Sequence, residues 1–344
     1  MPAVAARQLY WIVYGAAALA LAWVIVTGAV SAHYAEDDPA RALKWRPADP
    51  VALRTLAEQA LEQGKPDLAR RHALAVLARS PHDATAYRLL GEAARKASNE
   101  ATARRMFARA GRLTRRDATL AAIFFEEAVA ARRWREATTQ ADVLIRRSPR
   151  SESAVLFRLA VLARDPQFAA VLAQALTTEP AWRGAFFREL SSTSAHIAAA
   201  TLTVGELRAA GGAVKQAELS PLLSRMVGEG QAAQARRLWA GGLPGASPAA
   251  DAVYDPAFRA PDAGPPFGWS VGEHIRSQVG FGSGSGAHIE LSGIEPEQLL
   301  RQTLVLPPGR YELESAGRWQ AGRPLSLAWL IGCAGAPPVR LELT

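Results

Sequence analysis

His288 and Glu290 stand two residues apart in a segment of alternating polarity, so a β-strand would point both side chains the same way. His274 and Glu273 precede them closely, and two histidines with a carboxylate are a competent ligand set for a divalent metal. Their spacing matches no metal-binding signature, and surface pairs of this kind are common. Cys333 is the sole cysteine. As a nucleophile it would need a positioned base. Its place in the run Leu327, Trp329, Ile331, Cys333 predicts instead a buried thiol on the apolar face of a strand. From Gly280 to Gly286 glycine alternates with Phe281, Ser283 and Ser285. That segment lacks both the G-x-G-x-x-G frame and the Lys-Ser/Thr pair of a phosphate loop, and reads as a flexible hairpin connection. Glu126 with Glu127, and Glu312 with Glu314, are carboxylate pairs on solvent-facing patterns. These residues predict no catalytic site, no metal and no cofactor. The chain reads as a non-enzyme.

The elements around those residues are more informative. At 344 residues, two domains are expected before one, and 21% charged against 49% hydrophobic residues excludes a disordered chain. One cysteine excludes an intrachain disulfide framework. Between Arg7 and His33 no residue is formally charged, and Leu9 to Val30 is predominantly apolar, the length of a bilayer span. Tyr10, Trp11 and Tyr14 sit at its entry, where aromatic rings favour the headgroup region. Residues 1–8 are then a short tail, 9–31 a transmembrane helix and 32–49 a linker. The competing reading is a secretory signal cleaved at Val30-Ser31-Ala32. The apolar run is too long for one, and its basic flank is only Arg7. Arg7 and the terminal amine lie before the span; Glu36, Asp37 and Asp38 follow it, and then Arg41, Lys44 and Arg46. The favoured orientation puts the body outside the cytoplasm. A cytoplasmic body is the alternative.

A 34-residue period runs through the next segment. Pro47, Pro81, Arg115 and Pro149 share one slot. Tyr87, Leu90, Gly91 and Ala94 followed by Ala103, Phe107 and Ala110 fill the second unit. The third has Ala121, Phe124, Phe125 and Ala128, then Ala137, Ala141 and Leu144; the first has Leu53, Leu56, Ala57 and Ala60, then Ala69, Ala73 and Val76. In these positions the sequence resembles the tetratricopeptide repeat family, which implies paired antiparallel helices stacked into a solenoid. Further helices are predicted over 152–163, 167–177, 182–190, 195–209, 221–227 and 230–239, so the solenoid is expected to span 50–240.

Over that region 29 basic residues face 18 acidic ones, and 13 against 4 fall within 65–116. Arg105, Arg109, Arg112 and Arg116 follow helical steps, about 200° from the packing positions Ala103, Phe107 and Ala110. They form a solvated face or an anion-binding stripe, for lipid headgroups or an acidic polymer. The repeat resemblance implies that Arg88, Glu92 and Arg95 on a first helix are groove-side candidates for binding a protein partner. No nucleic-acid-reading motif accompanies the charge, so no nucleic acid is expected as a partner.

Residues 241–266, rich in proline and glycine, read as a linker. After it the period changes to two: Ala287, Ile289 and Leu291; then Leu325, Leu327, Trp329, Ile331 and Cys333; then Val339, Leu341 and Leu343. Pro307-Pro308-Gly309 is turn chemistry between predicted strands at 303–306 and 310–319. The prediction is a small antiparallel β-sandwich or jelly-roll over 267–344. Its segments FGW at 267–269, RQTLVLPPGRYELESAGRW at 301–319 and LAWLIGC at 327–333 resemble the C-terminal module of membrane-anchored repeat proteins from bacterial exopolysaccharide clusters. That module usually continues further beyond its tryptophan–cysteine segment than this chain does. The resemblance implies a single-pass inner-membrane protein with a periplasmic body, scaffolding envelope or exopolysaccharide assembly and export. It also implies polysaccharide as a partner beside the bilayer and a protein. Trp319, at a strand end, is the candidate for stacking on sugar, whereas Trp329 shares an apolar face and is expected in the core. The alternatives are a glycan-binding module on a helical spacer, an envelope enzyme, and a general assembly factor in protein export or cytochrome maturation.

Overall fold

The computed structural model describes residues 2–242, 253–259, 263–272, 278–281, 286–291, 298–317, 327–333 and 337–342. Among them are 14 α-helices and six short strands. The chain divides into two compact units, Met1–Val155 and Leu156–Thr344.

In the first unit, α1 (Pro2–Tyr34) carries the apolar run, and Val13–Tyr34 is long and apolar enough to cross a membrane. Trp11, Leu19, Trp23 and Ile25 are exposed on it, but Thr27, Ser31 and Ala35 are buried. The chain reverses over Ala35–Asp38, and Asp38 caps α2 (Pro39–Trp45) by accepting from the Arg41 amide. Pro39 suits the first helical turn, where no intrahelical donor is needed. Ala35, Ala42 and Ala52 pack together, and their small side chains let α1, α2 and α3 approach. The segment 32–49, expected as a linker, therefore carries the end of α1 and the whole of α2, folded against the first repeat.

Three helix pairs follow: α3 (Pro50–Glu62) with α4 (Pro66–Arg79), α5 (Ala84–Lys96) with α6 (Glu100–Leu113), and α7 (Ala118–Ala130) with α8 (Trp134–Arg147). Every start and every end recurs after 34 residues. Two local devices set that register. Asp49, Asp83 and Asp117 each stand at the N-cap of a first helix and accept its free amides. Gly64, Ser98 and Arg132 each take a left-handed φ in the turn between paired helices. The packing follows the expected positions, with Ala103, Phe107 and Ala110 buried on α6. Gly91 lets Phe107 through: a Cβ there would lie 2.5 Å from the ring. Only glycine takes the left-handed conformation without a steric cost, which is about 1 kcal/mol for other residues. Ser98→Gly should therefore raise stability by about 0.5 kcal/mol after the added unfolded-state entropy. A thermal midpoint 1–2 °C higher, as an order of magnitude, is the expected readout.

The second unit holds most of α9 (Glu152–Leu162), then α10 (Pro166–Leu176), α11 (Arg183–Ser192), α12 (Ile197–Ala209), α13 (Gln216–Gly228) and α14 (Ala232–Ala240). α10 packs on α12, α11 on α12 and α13, and α13 on α14, around Phe168, Phe186, Phe187, Leu190 and Leu222. α14 begins 16 residues after α13, as α4 does after α3, and Gly230 occupies the same left-handed slot as Gly64. α13 starts before the expected Pro221, which lies inside the helix. Capping decides that start, because the Glu218 carboxylate accepts from the Lys215 amide.

Part of the expected linker 241–266 is seated on these helices. The Trp239 indole donates to the Ala263 carbonyl at 2.9 Å and meets Tyr254 and Phe267 edge-on or tilted. Gln216 and Ser220 both donate to the Pro265 carbonyl. Beyond it lie three separate antiparallel pairs: β1 (Ser270–Val271) with β4 (Leu300–Arg301), β2 (Gln278–Phe281) with β3 (Ala287–Glu290), and β5 (Ala328–Ile331) with β6 (Val339–Glu342). Among the described residues these do not join into the expected sandwich.

Alternation is kept in β2 and β3, where every second residue is half-buried. It fails in β5 and β6: Leu330 is 67% exposed, and Ile331, Val339 and Leu341 are also exposed. Cys333 corrects the expectation of a buried thiol, because β5 ends at Ile331 and the thiol is exposed. Residues 303–306 and 310–317 carry no strand. Between them the bend at 308–309 is held by the Tyr311 hydroxyl donating to the Pro307 carbonyl. Period-two sequence says which residues share a face. It does not supply the second layer that would cover that face.

Candidate interaction surfaces

Arg88 is buried and its guanidinium is fully engaged. Nε donates to Asp117 at 3.2 Å, one terminal nitrogen to Glu92 at 2.6 Å and the other to Glu58 at 2.7 Å. Burial acts to lower its pKa, but Glu92, Glu58 and Asp117 outweigh that and hold it above the ordinary range. The three acids belong to α3, α5 and the cap of α7, so this one side chain ties three successive first helices.

Arg54 makes the same link one unit earlier, donating to Asp83 at 3.1 Å. The rule is shared: one oxygen of each capping aspartate serves its own helix, and the other receives a donor from the preceding unit. For Asp49 that donor is Ser31 of α1, at 3.0 Å. α1 thus stands where a preceding repeat helix would stand. The sequence carries this in Asp49, Asp83 and Asp117, each two residues after the proline slot, with Arg54 and Arg88 five residues further on.

Glu92 is half-buried against Arg88, and Arg95 lies over the Phe107 ring at 4.8 Å. Glu58, Glu92 and Glu126 recur at 34 residues on the first helices, and Glu58 and Glu126 are exposed. On α6, Arg105, Arg109 and Arg112 are exposed opposite the buried face, as the periodicity predicts. Arg116 lies beyond the helix end, its amide donating to the Thr114 hydroxyl, because α6 stops at Leu113. Arg109 reaches over the Tyr87 ring at 5.7 Å, and Arg105 donates to Thr102.

Much of the basic excess in the second unit serves the fold. Arg183 is buried and grips Glu218 through two 2.7 Å bonds, while also donating to the Leu176 and Ala213 carbonyls. Arg208 donates to the Leu238 carbonyl, Arg225 to Ser191 and Arg164 to Ala195, each satisfying a main-chain acceptor at or near a helix end. Burial pushes the Arg208 guanidinium below its ordinary pKa.

In the C-terminal part, Trp269 is buried, stacked on Phe258 at 4.8 Å, with its indole donating to the Asp255 carbonyl. Trp329 is half-buried and donates to Ser315. Trp319, the sugar-stacking candidate, lies outside the described residues, as do Glu273 and His274. His288 and Glu290 are exposed on one face of β3. No protein-family model matches the chain, and no curated protein matches it.

Proposed function

We propose that the chain is a membrane-anchored scaffold of the tetratricopeptide kind, which holds a protein partner at a membrane surface. The observation that carries this reading is the continuity of the anchor with the repeats. Ser31 of the apolar helix feeds the same capping aspartate position that Arg54 and Arg88 feed further along. A cleaved signal would strip that bond from Asp49.

In line with the resemblance of its C-terminal segments, the proposed setting is cell-envelope or exopolysaccharide assembly and export. The body is proposed to lie outside the cytoplasm, where the exposed Cys333 thiol would meet a membrane-impermeant maleimide. Polysaccharide is the proposed ligand of the C-terminal part, through Trp319.

Position-specific photocrosslinking in native membranes tests the scaffold. A crosslinker at Glu126, on the first-helix face, should trap a discrete protein adduct, and one at Arg112, on the opposite helix, should not. Equal trapping at both positions would contradict a partner groove.

A further inference from the structure

A further inference concerns α2, and it rests on reading α1 as a membrane span. Ser31, three residues before the end of α1, meets Ala42, three residues after the start of α2, so the two helices run back to back. From that contact, one turn on along α2 leads to Trp45 and its cap Arg46, as one turn back along α1 leads to Thr27. From Leu9 to Val26 α1 rises roughly 27 Å, close to the roughly 30 Å of a bilayer core. Thr27 is where exposure of the apolar helix ends and packing on the body begins.

The tip of α2 therefore sits at headgroup level. Lys44 and Arg46 are exposed and have no ion-pair partner among the described residues, and Trp45 is 44% exposed. Glu36, Asp37 and Asp38 lie at the other end of α2, roughly 10 Å along its axis from the tip. There Arg41 is occupied over the Tyr34 ring at 4.2 Å.

We infer that the α2 tip binds anionic phospholipid, with Lys44 and Arg46 on headgroup phosphates and the Trp45 indole in the interfacial layer. Aromatic and basic side chains favour that layer for these reasons. The charge is complementary, and the surface is continuous with the apolar flank of α1. The α6 stripe lacks that continuity, and the ring beside it, Tyr87, is half-buried beneath Arg109.

The test reconstitutes the full chain in phosphatidylcholine vesicles with spin-labelled phosphatidylglycerol or phosphatidylcholine as probe. The wild type should select phosphatidylglycerol, and each of Lys44→Gln and Arg46→Gln should cut the selectivity about five-fold. Added salt should weaken it as well. Selectivity unchanged in the double variant, or lost instead with Arg105→Gln, Arg109→Gln and Arg112→Gln, would overturn the assignment while leaving the span intact. A chain that washes off the vesicles at alkaline pH would overturn the span itself, and the proposal with it.

Discussion

Replacing Arg183 by leucine in the full chain should destabilise the second unit by about 3–5 kcal/mol, the cost of leaving one member of a buried ion pair alone. Both side chains are nearly inaccessible, and Glu218 would be left with the Lys215 amide as its remaining hydrogen-bond donor. The loss should appear as faster amide hydrogen exchange in α11 and α13, because a two-unit chain need not melt in one transition. Glu218→Gln should cost nearly as much. Joint replacement of both by apolar residues should recover part of the loss, since the desolvation cost of the charges then disappears. Equal effects in the double and single variants would show that the main-chain bonds to Leu176 and Ala213 dominate instead.

Arg88→Met should cost about 2–4 kcal/mol. It keeps the apolar stem but removes three charge-assisted hydrogen bonds and leaves Glu58, Glu92 and Asp117 facing one another. Glu58 is exposed enough for water to screen it, which sets the estimate below that for Arg183. The distribution of the effect matters more than its size. Exchange should accelerate in α3 and α7 as well as α5, because the side chain joins three units. Acceleration confined to α5 would show that Arg88 supports only its own helix.

The repeat core was legible because its packing is local and periodic. Gly91, Ala103, Phe107 and Ala110 are spaced by the helix, and each unit repeats the spacing. The staples were harder to read. Arg88 looks like a surface residue until the register shows that Asp117 of the next unit lies beside it. Arg183 and Glu218 have no repeating counterpart to disclose them. Ser31 was a visible signal, a polar residue near the end of an apolar run, and its meaning depends on Asp49 folding back to it. The C-terminal part was legible least. Alternation at Val339 and Leu341 resembles that of a buried strand, yet burial is set by a covering layer that lies elsewhere in the chain. Trp319 lies outside the described residues, so the glycan reading stands on resemblance alone.

In the proposed scaffold, α1 is at once a retained membrane anchor and the first packing element of the repeats. The direct measurement is the intact mass of the protein recovered from membranes washed at alkaline pH. The expected result is a pelleted chain that still carries α1. A soluble product beginning at His33, cut after Ala32, would contradict it, because the body would then stand without the helix that supplies Ser31 to Asp49.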